Sequence, residues 1–356
     1  MAKLNFANFT PPAHEVAKLS ELIFLDIIRD GNIKELFTFL TGQENGKKVG
    51  LVTGFGLLGK TDEGCDSNYD ENIIGGSEEE WEIKRWAIKE ALCYEDIEGT
   101  IAAYALREGV NVGDLTETEY MTVVVEPALR NAIEELILRL AFFGNKTISQ
   151  ANLKSPARPE NFNTIDGIWK RIFDGVAAKT ISKTEIEANT KTSIAAQKEA
   201  MRADGVATKL IEDILADAPA ELQQSEQKLI MTLEMWNAWK NDVRRNNKGS
   251  EGQWESLFAG VKKGEIDGVT TYVVPFLDKI IKTYEVNETN ASAWNMPYRV
   301  ILTAKENNLL LGTTNTQENF DTIDIFFDKK DDKTYIKAKD TLGAMILSHD
   351  YIHVAF

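Results

Sequence analysis

From Gln227 to Phe356 the chain strings together short apolar runs, one helical stretch and several turns, in an order that leaves few ways to fold. A run QKLIMT precedes the tryptophan-bearing LEMWNAWKNDVRRN, which has helical spacing. A glycine-rich turn, KKGEIDG, and a β-rich run, VTTYVVPF, come next. A polar loop then leads to MPYRVILTAKENNLLLGTT and to IDIFFDKKDDKTYIKAKDTLGAMILSHDYIHVAF. No catalytic motif falls in this part of the chain.

Upstream, residues 1–45 begin polar and proline-containing. Val16, Leu19, Leu22, Ile23, Ile27 and Leu36 then recur at near-helical spacing, predicting one or two short amphipathic helices broken at Asp30-Gly31. Residues 46–80 are rich in glycine and polar turn residues. Two β-prone pieces, VGLVTGFGLL and NIIGG, flank a polar tip and predict a long hairpin or loop. Trp81 to Arg107 reads as helical, with Ile83, Trp86, Ala87, Ala91 and Ile97 recurring. The clearest helix runs from Thr116 to about Phe143. Thr116 and Glu119 have capping-box spacing, Pro127 kinks it or begins its continuous part, and Leu129, Ile133, Leu136, Ile137 and Leu140 form one stripe ending at Gly144. Residues 150–165 are a proline-bearing loop. Residues 176–204 carry few large apolar side chains and predict a solvated helix or a segment ordered on assembly; GVATKLIEDILADAPAEL predicts a compact amphipathic helix.

One stretch matches a chemical motif. Gly54 to Thr61, GFGLLGKT, satisfies the phosphate-binding P-loop pattern, and VGLV precedes it like a strand. That chemistry needs a helix starting at Lys60, because a helix N-terminus supplies the anion site. The residues after Thr61 are DEGCDSNYDENIIGG, without apolar periodicity and with carboxylates that would repel phosphate. The stretch therefore reads as a glycine-softened hairpin tip. Histidine is scarce: His14, His349 and His353. As a strand, 349–356 would put His349 and His353 on one face with Tyr351, at a solvent-facing or subunit-facing edge, with no third metal ligand framed. Trp236 and Trp239, three apart on a helix, read as core rather than as a stacking platform with Trp254 and Trp294. Cys65 and Cys93 lack paired spacing and read as free thiols. Among the 56 acids any chosen carboxylate pair is uninformative. The sequence thus designates no catalytic residue, no metal ligands and no cofactor.

A net charge of −16 argues against direct tight binding to nucleic acid, which calls for a basic surface. Acidic balance also keeps a chain soluble. No apolar run approaches the roughly 20 residues of a membrane span. MAKLNFANFTPPAHE lacks the basic start and apolar core of a signal peptide, so the chain is expected to stay in the cytoplasm where it is made.

The order of elements in 227–356 is similar to the second half of the major capsid proteins of tailed bacteriophages, the Hong Kong 97-type fold. LAFFGNKTIS resembles the end of that family's long spine helix, and DGIWKRIF the short glycine-led segment after it. The resemblance implies an α+β fold with an N-terminal arm (1–45), an extended loop hairpin (46–80), a peripheral domain with the spine helix (81–204 and 320–356) and an axial domain (205–319). It implies a major capsid protein that assembles into pentamers and hexamers of an icosahedral shell around double-stranded DNA. Such a protein belongs to the virion capsid, is assembled in the host bacterial cytoplasm, and is not an enzyme. The implied partners are copies of itself, scaffold and portal proteins and possible decoration proteins, with no membrane. A separate scaffold is expected because little precedes the arm. As in some relatives, Lys60 on its loop could enter a cross-link. The rival readings are an encapsulin-like compartment shell and a P-loop NTPase using 54–61.

Overall fold

The computed structural model describes residues 32–55, 74–93, 126–246, 253–257, 260–283, 296–315, 323–328, 330 and 333–356. In chain order the strands are β1 (Thr38–Leu40), β2 (Lys48–Phe55), β3 (Ile74–Glu80), β4 (Lys84–Cys93), β5 (Ser182–Thr184), β6 (Gln227–Met231) and β7 (Glu255–Ser256), then β8 (Lys262–Ile266), β9 (Val269–Val273), β10 (Val300–Ala304), β11 (Leu309–Gly312), β12 (Ile323–Asp328), β13 (Lys333–Ile346) and β14 (Ile352–Ala355). The helices are α1 (Asn32–Leu36), α2 (Glu126–Phe143), α3 (Ile168–Ala177), α4 (Ile194–Met201), α5 (Val206–Ala216), α6 (Ala220–Gln223), α7 (Leu233–Asn246) and α8 (Pro275–Thr283).

The larger sheet is mixed, in the order β5-β14-β10-β6-β9-β8-β7. Alternation along its central strands explains why they read as continuous apolar runs. Leu229, Met231, Val300 and Leu302 enter one core with α5 and α7, while Ile230, Ile301, Ile352 and Val354 enter another with α2, α3 and α8. A sheet covered on both faces has no polar side to alternate with. The smaller sheet has the order β1-β11-β13-β12, with β4 also on β13. It draws β11 together with β12 and β13, whereas β14 and β5 join the larger sheet. The inner side of the smaller sheet, with Ile323, Ile325, Ala338 and Leu342, packs into the same core as α2 and α3.

Carboxylates tie the helices of the larger sheet together. Asp242 of α7, buried, accepts from Ala207 N at 2.8 Å and Thr208 N at 3.3 Å, capping α5, which follows Gly205 in the left-handed region. Asp278 of α8 accepts from Leu233 N at 2.6 Å and Glu234 N at 3.0 Å, capping α7. Each supplies acceptors to orphan N–H groups that its partner helix cannot satisfy internally.

Two expectations are corrected. Residues 84–93 are a strand, not a helix: Trp86 is buried and Ile88 half-buried while Arg85, Ala87 and Lys89 are exposed, a period of two fixed by ten register pairs with β13. Residues 176–204 are ordered within the subunit, with Ile186, Gln197 and Met201 buried. The long helix is described from Glu126, so Pro127 stands at its start, one of its two expected places, where a missing N–H costs nothing; Thr116, Glu119 and 94–107 lie outside the described residues. The turn after α2 does close on glycine as expected, with Gly167 N donating to Gly144 O at 2.9 Å.

Candidate functional site: the roots of two extensions

β2 and β3 form an antiparallel hairpin from Lys48↔Glu80 to Phe55↔Ile74, with a register shift between Val52 and Gly54. Its partners are each other rather than either main sheet, so its root decides how it is held. There Gly46 N donates to Trp81 O at 2.8 Å and Trp81 N to Lys47 O at 2.9 Å. Asn45 Oδ1 accepts from Ile83 N at 3.0 Å. The Trp81 side chain, 1% exposed, lies on the smaller sheet beside Ile83, Leu310, Met345 and Leu347. Room for it comes from the facing pair Gly312↔Gly343: a Cβ on Gly312 would stand 2.8 Å from the indole, and one on Gly343 2.8 Å from Glu82 O and 3.2 Å from the indole. Glu82, next in sequence, accepts from Lys146 Nζ at 2.7 and 2.9 Å, and Asp166 lies 3.0 Å from the same amine. The two carboxylates raise the Lys146 pKa, Glu82 most, and link the root to the turn after α2.

The N-terminal segment is rooted separately. β1 runs parallel to β11, and α1 buries Ile33, Leu36 and, just beyond it, Phe37 at 0–1% exposure. Lys228 Nζ donates to Leu36 O at 2.9 Å; burial pushes this lysine down to about 8. Glu35 accepts from Tyr272 Oη at 2.5 Å and Lys263 Nζ at 3.0 Å. The tyrosine hydrogen bond lowers the Glu35 pKa, while burial and that carboxylate raise the Tyr272 pKa. A buried lysine that satisfies a carbonyl leaving α1 is a fixed anchor, because an unpartnered ammonium there would be costly.

No family model matches the chain, and no curated protein matches it in sequence. Among solved structures, a chain of the satellite phage P4 procapsid including the size determination (Sid) protein superposes with a TM-score of 0.53 at 9% identity, over 94% of this chain and 98% of that one. The chain has the Hong Kong 97-type capsid fold. Chains of the cyanophage P-SCSP1u capsid (TM-score 0.48, 11% identity, 91% and 87% covered) and of an empty GTA particle capsid (0.47, 9%, 91% and 89%) are more distant and carry none of the weight. Within this fold α2 is the long helix, and among the described residues the hairpin strands β2 and β3 pair with each other and with neither main sheet.

The fold also places the residues singled out by sequence. Gly54 and Phe55 end β2 opposite Gly75 and Ile74, so the strand entering the P-loop pattern is one arm of an antiparallel hairpin; 56–61, with Lys60, lie outside the described residues, as do His14, Cys65 and Trp294. Cys93 ends β4. Among the described residues no cluster of His, Cys, Asp and Glu suits a metal, and no helix is long and apolar enough to cross a membrane. Trp236 and Trp239 are buried and meet Trp254 edge-on at 5.4 and 6.3 Å, with Lys240 and Lys262 about 4 Å from the Trp236 ring, which is core packing capped by cations.

The two C-terminal histidines do not share a strand face. His349 lies in a 3₁₀ turn, and His353 is 1% exposed inside the larger sheet, its Nδ1 2.6 Å from Ser182 Oγ and its Nε2 2.8 Å from Thr184 Oγ1. The missing signal was β5, which brings two hydroxyls from about 170 residues away. Burial lowers the His353 pKa against a smaller opposing pull from Asp217. The unfolded chain then holds a proton that the folded one does not, so this histidine's stabilising share is full above pH 6.5 and falls as pH drops below it, by up to about 1.4 kcal/mol per pH unit. Burial raises Glu134 to about 7 and Asp278 and Asp340 to about 6, and these carboxyls act in the opposite direction. Urea unfolding at about pH 7.5 and about pH 5.5 is therefore compared between wild type and His353→Gln. The wild type is expected to lose more stability, or gain less, on acidification; equal pH responses would remove the histidine from the account.

Proposed function

We propose that the chain is a major capsid protein that assembles into pentamers and hexamers of an icosahedral phage shell enclosing double-stranded DNA. The observation that carries this reading is the superposition on nearly the whole length of a procapsid chain. The hairpin and the N-terminal segment support it, since elements held firmly where they join the body suit contact with neighbouring subunits. In this reading 81–204 and 320–356 form the peripheral domain and 205–319 the axial domain, with β14 crossing into the larger sheet and β11 into the smaller. The subunit works with scaffold and portal proteins and, in some shells, decoration proteins. It lines DNA without reading it, consistent with the charge of −16. Assembly in the host cytoplasm precedes its place in the virion. Many weak, repeated interfaces close such a shell. An encapsulin-like compartment would share the fold and differ in its neighbouring genes.

Negative-stain microscopy of the purified chain and of a deletion of 50–76 tests the reading. Wild type is expected to give shells, tubes or capsomer rings, and the deletion to lose them. Uniform small particles from wild type at high concentration would sink the proposal, and unchanged shells from the deletion would remove the hairpin from the assembly contacts.

A further inference from the structure

One flank of α7 gathers positive charge. Lys240 Nζ stands 4.0 Å from the centroid of the Trp236 ring, and Lys262 Nζ of β8 stands 4.1 Å from it. The two ammoniums are therefore no farther apart than about 8 Å, the Debye length at physiological salt, and they repel each other. A ring quadrupole attracts a cation without cancelling its charge. Among the described residues neither lysine makes an ion pair. Arg244 stands one turn beyond Lys240, and it and Arg245 are exposed. The acids of α7 and β7 are engaged elsewhere. Glu234 meets Lys198 and Lys282, Asp242 caps α5, and Glu255 lies across from Lys263, on the other side of β8 from Lys262. In a chain of net charge −16 this patch runs against the prevailing sign.

We propose that this patch contacts the phosphate backbone of the enclosed DNA, so that the α7 side of the larger sheet faces the interior of the shell; the inference rests on the shell reading. A phosphate backbone asks for cations presented at a surface and for no apolar contact. A protein partner would instead bury an apolar anchor at the centre of its contact. The patch offers no such anchor. Trp236 and Trp239 are only 6% and 8% exposed, and the exposed large apolar residues among those described, Val206 and Phe326, lie on α5 and β12. The Trp236 ring also holds both lysine side chains in place, so less side-chain freedom is lost when a phosphate arrives. The acidic balance of the chain keeps each contact weak, and repetition over many subunits supplies the total.

The test follows binding of a short fluorescein-labelled DNA duplex by anisotropy, with the full-length protein kept below its assembly concentration and salt varied from about 20 to about 200 mM. Each phosphate contact contributes about 0.9 to the slope of log affinity against log salt. Lys240→Gln/Lys262→Gln is therefore expected to lower the wild-type slope by about 1.8, and Lys240→Arg/Lys262→Arg to leave it in place. An unchanged slope in the glutamine variant overturns the proposal, as does a wild type that does not bind the duplex at about 20 mM salt. A polyglutamate peptide that binds wild type but not the glutamine variant, where the duplex binds neither, assigns the patch to an acidic protein and also overturns it. Should the glutamine pair melt earlier than wild type, Lys262→Gln alone takes its place, with a slope change of about 0.9 expected. Closed shells are expected to bind added duplex about tenfold less than free subunits, because the patch then faces inward; equal binding overturns that placement. Microscopy separates the two readings. Shells from subunits that lack the duplex contact fail only the contact, whereas a wild type that never forms shells fails the shell reading and this contact with it.

Discussion

Gly144→Ala is expected to destabilise the protein by about 3 kcal/mol, and Gly167→Ala by a similar amount. The end of α2 and the start of α3 approach until their backbones touch. A Cβ on Gly144 would stand 2.5 Å from Ile165 O and 2.6 Å from Leu140 O; one on Gly167 would stand 2.6 Å from Leu140 O and 2.8 Å from Ala141 O. These are main-chain atoms, so no rotamer change relieves the overlap, and the helices must separate. Separation would disturb Phe142, Phe143, Ile168 and Trp169, all nearly fully buried in one core. Denaturant unfolding measures the loss. A change below about 0.5 kcal/mol would show that the junction can open without cost.

The second large effect is at the root of the hairpin. Trp81→Ala is expected to cost about 4 kcal/mol, the range for emptying a buried tryptophan site. It should also loosen the hairpin, because the same residue supplies the backbone bonds at residues 46 and 47 and the ring seated on Gly312 and Gly343. A coupling measurement separates this seat from general packing. Gly312→Ala pushes a methyl into the far edge of the indole, so it should be costly alone and clearly cheaper beside Trp81→Phe, whose shorter ring vacates that edge. Additive effects in urea unfolding would show that ring and glycine pair act independently.

Much of the fold was legible because local pattern and tertiary demand agree. The stripe from Leu129 to Leu140 and the hairpin flanking 56–73 each carry a period or a turn signal that survives burial. β4 was not legible: Ile83, Trp86 and Ala87 also fit the i, i+3, i+4 spacing of a helix face, and its strand identity rests on β13, roughly 250 residues downstream. The order of 176–204 was hidden because its few apolar residues are covered by α5 and by the larger sheet rather than by their own helix. Of the candidate site, the hairpin could be read but not its seat, since two isolated glycines in separate strands announce nothing until Gly312 and Gly343 fall opposite each other. His353 looked like an edge residue for the same reason: β5 arrives from far away to cover it.

The place of β14 has a consequence for how the polypeptide is made. Ile352–Ala355 is an interior strand, hydrogen-bonded to β10 on one side and β5 on the other. During translation both neighbours leave the ribosome well before it does, and until it arrives each has an unsatisfied flank that invites pairing with another nascent chain. Threading β1 alongside β11 imposes a similar wait on the N-terminal part. Such distant pairings slow folding and lengthen exposure to misassembly, so production in cells should depend on chaperones and improve at lower temperature.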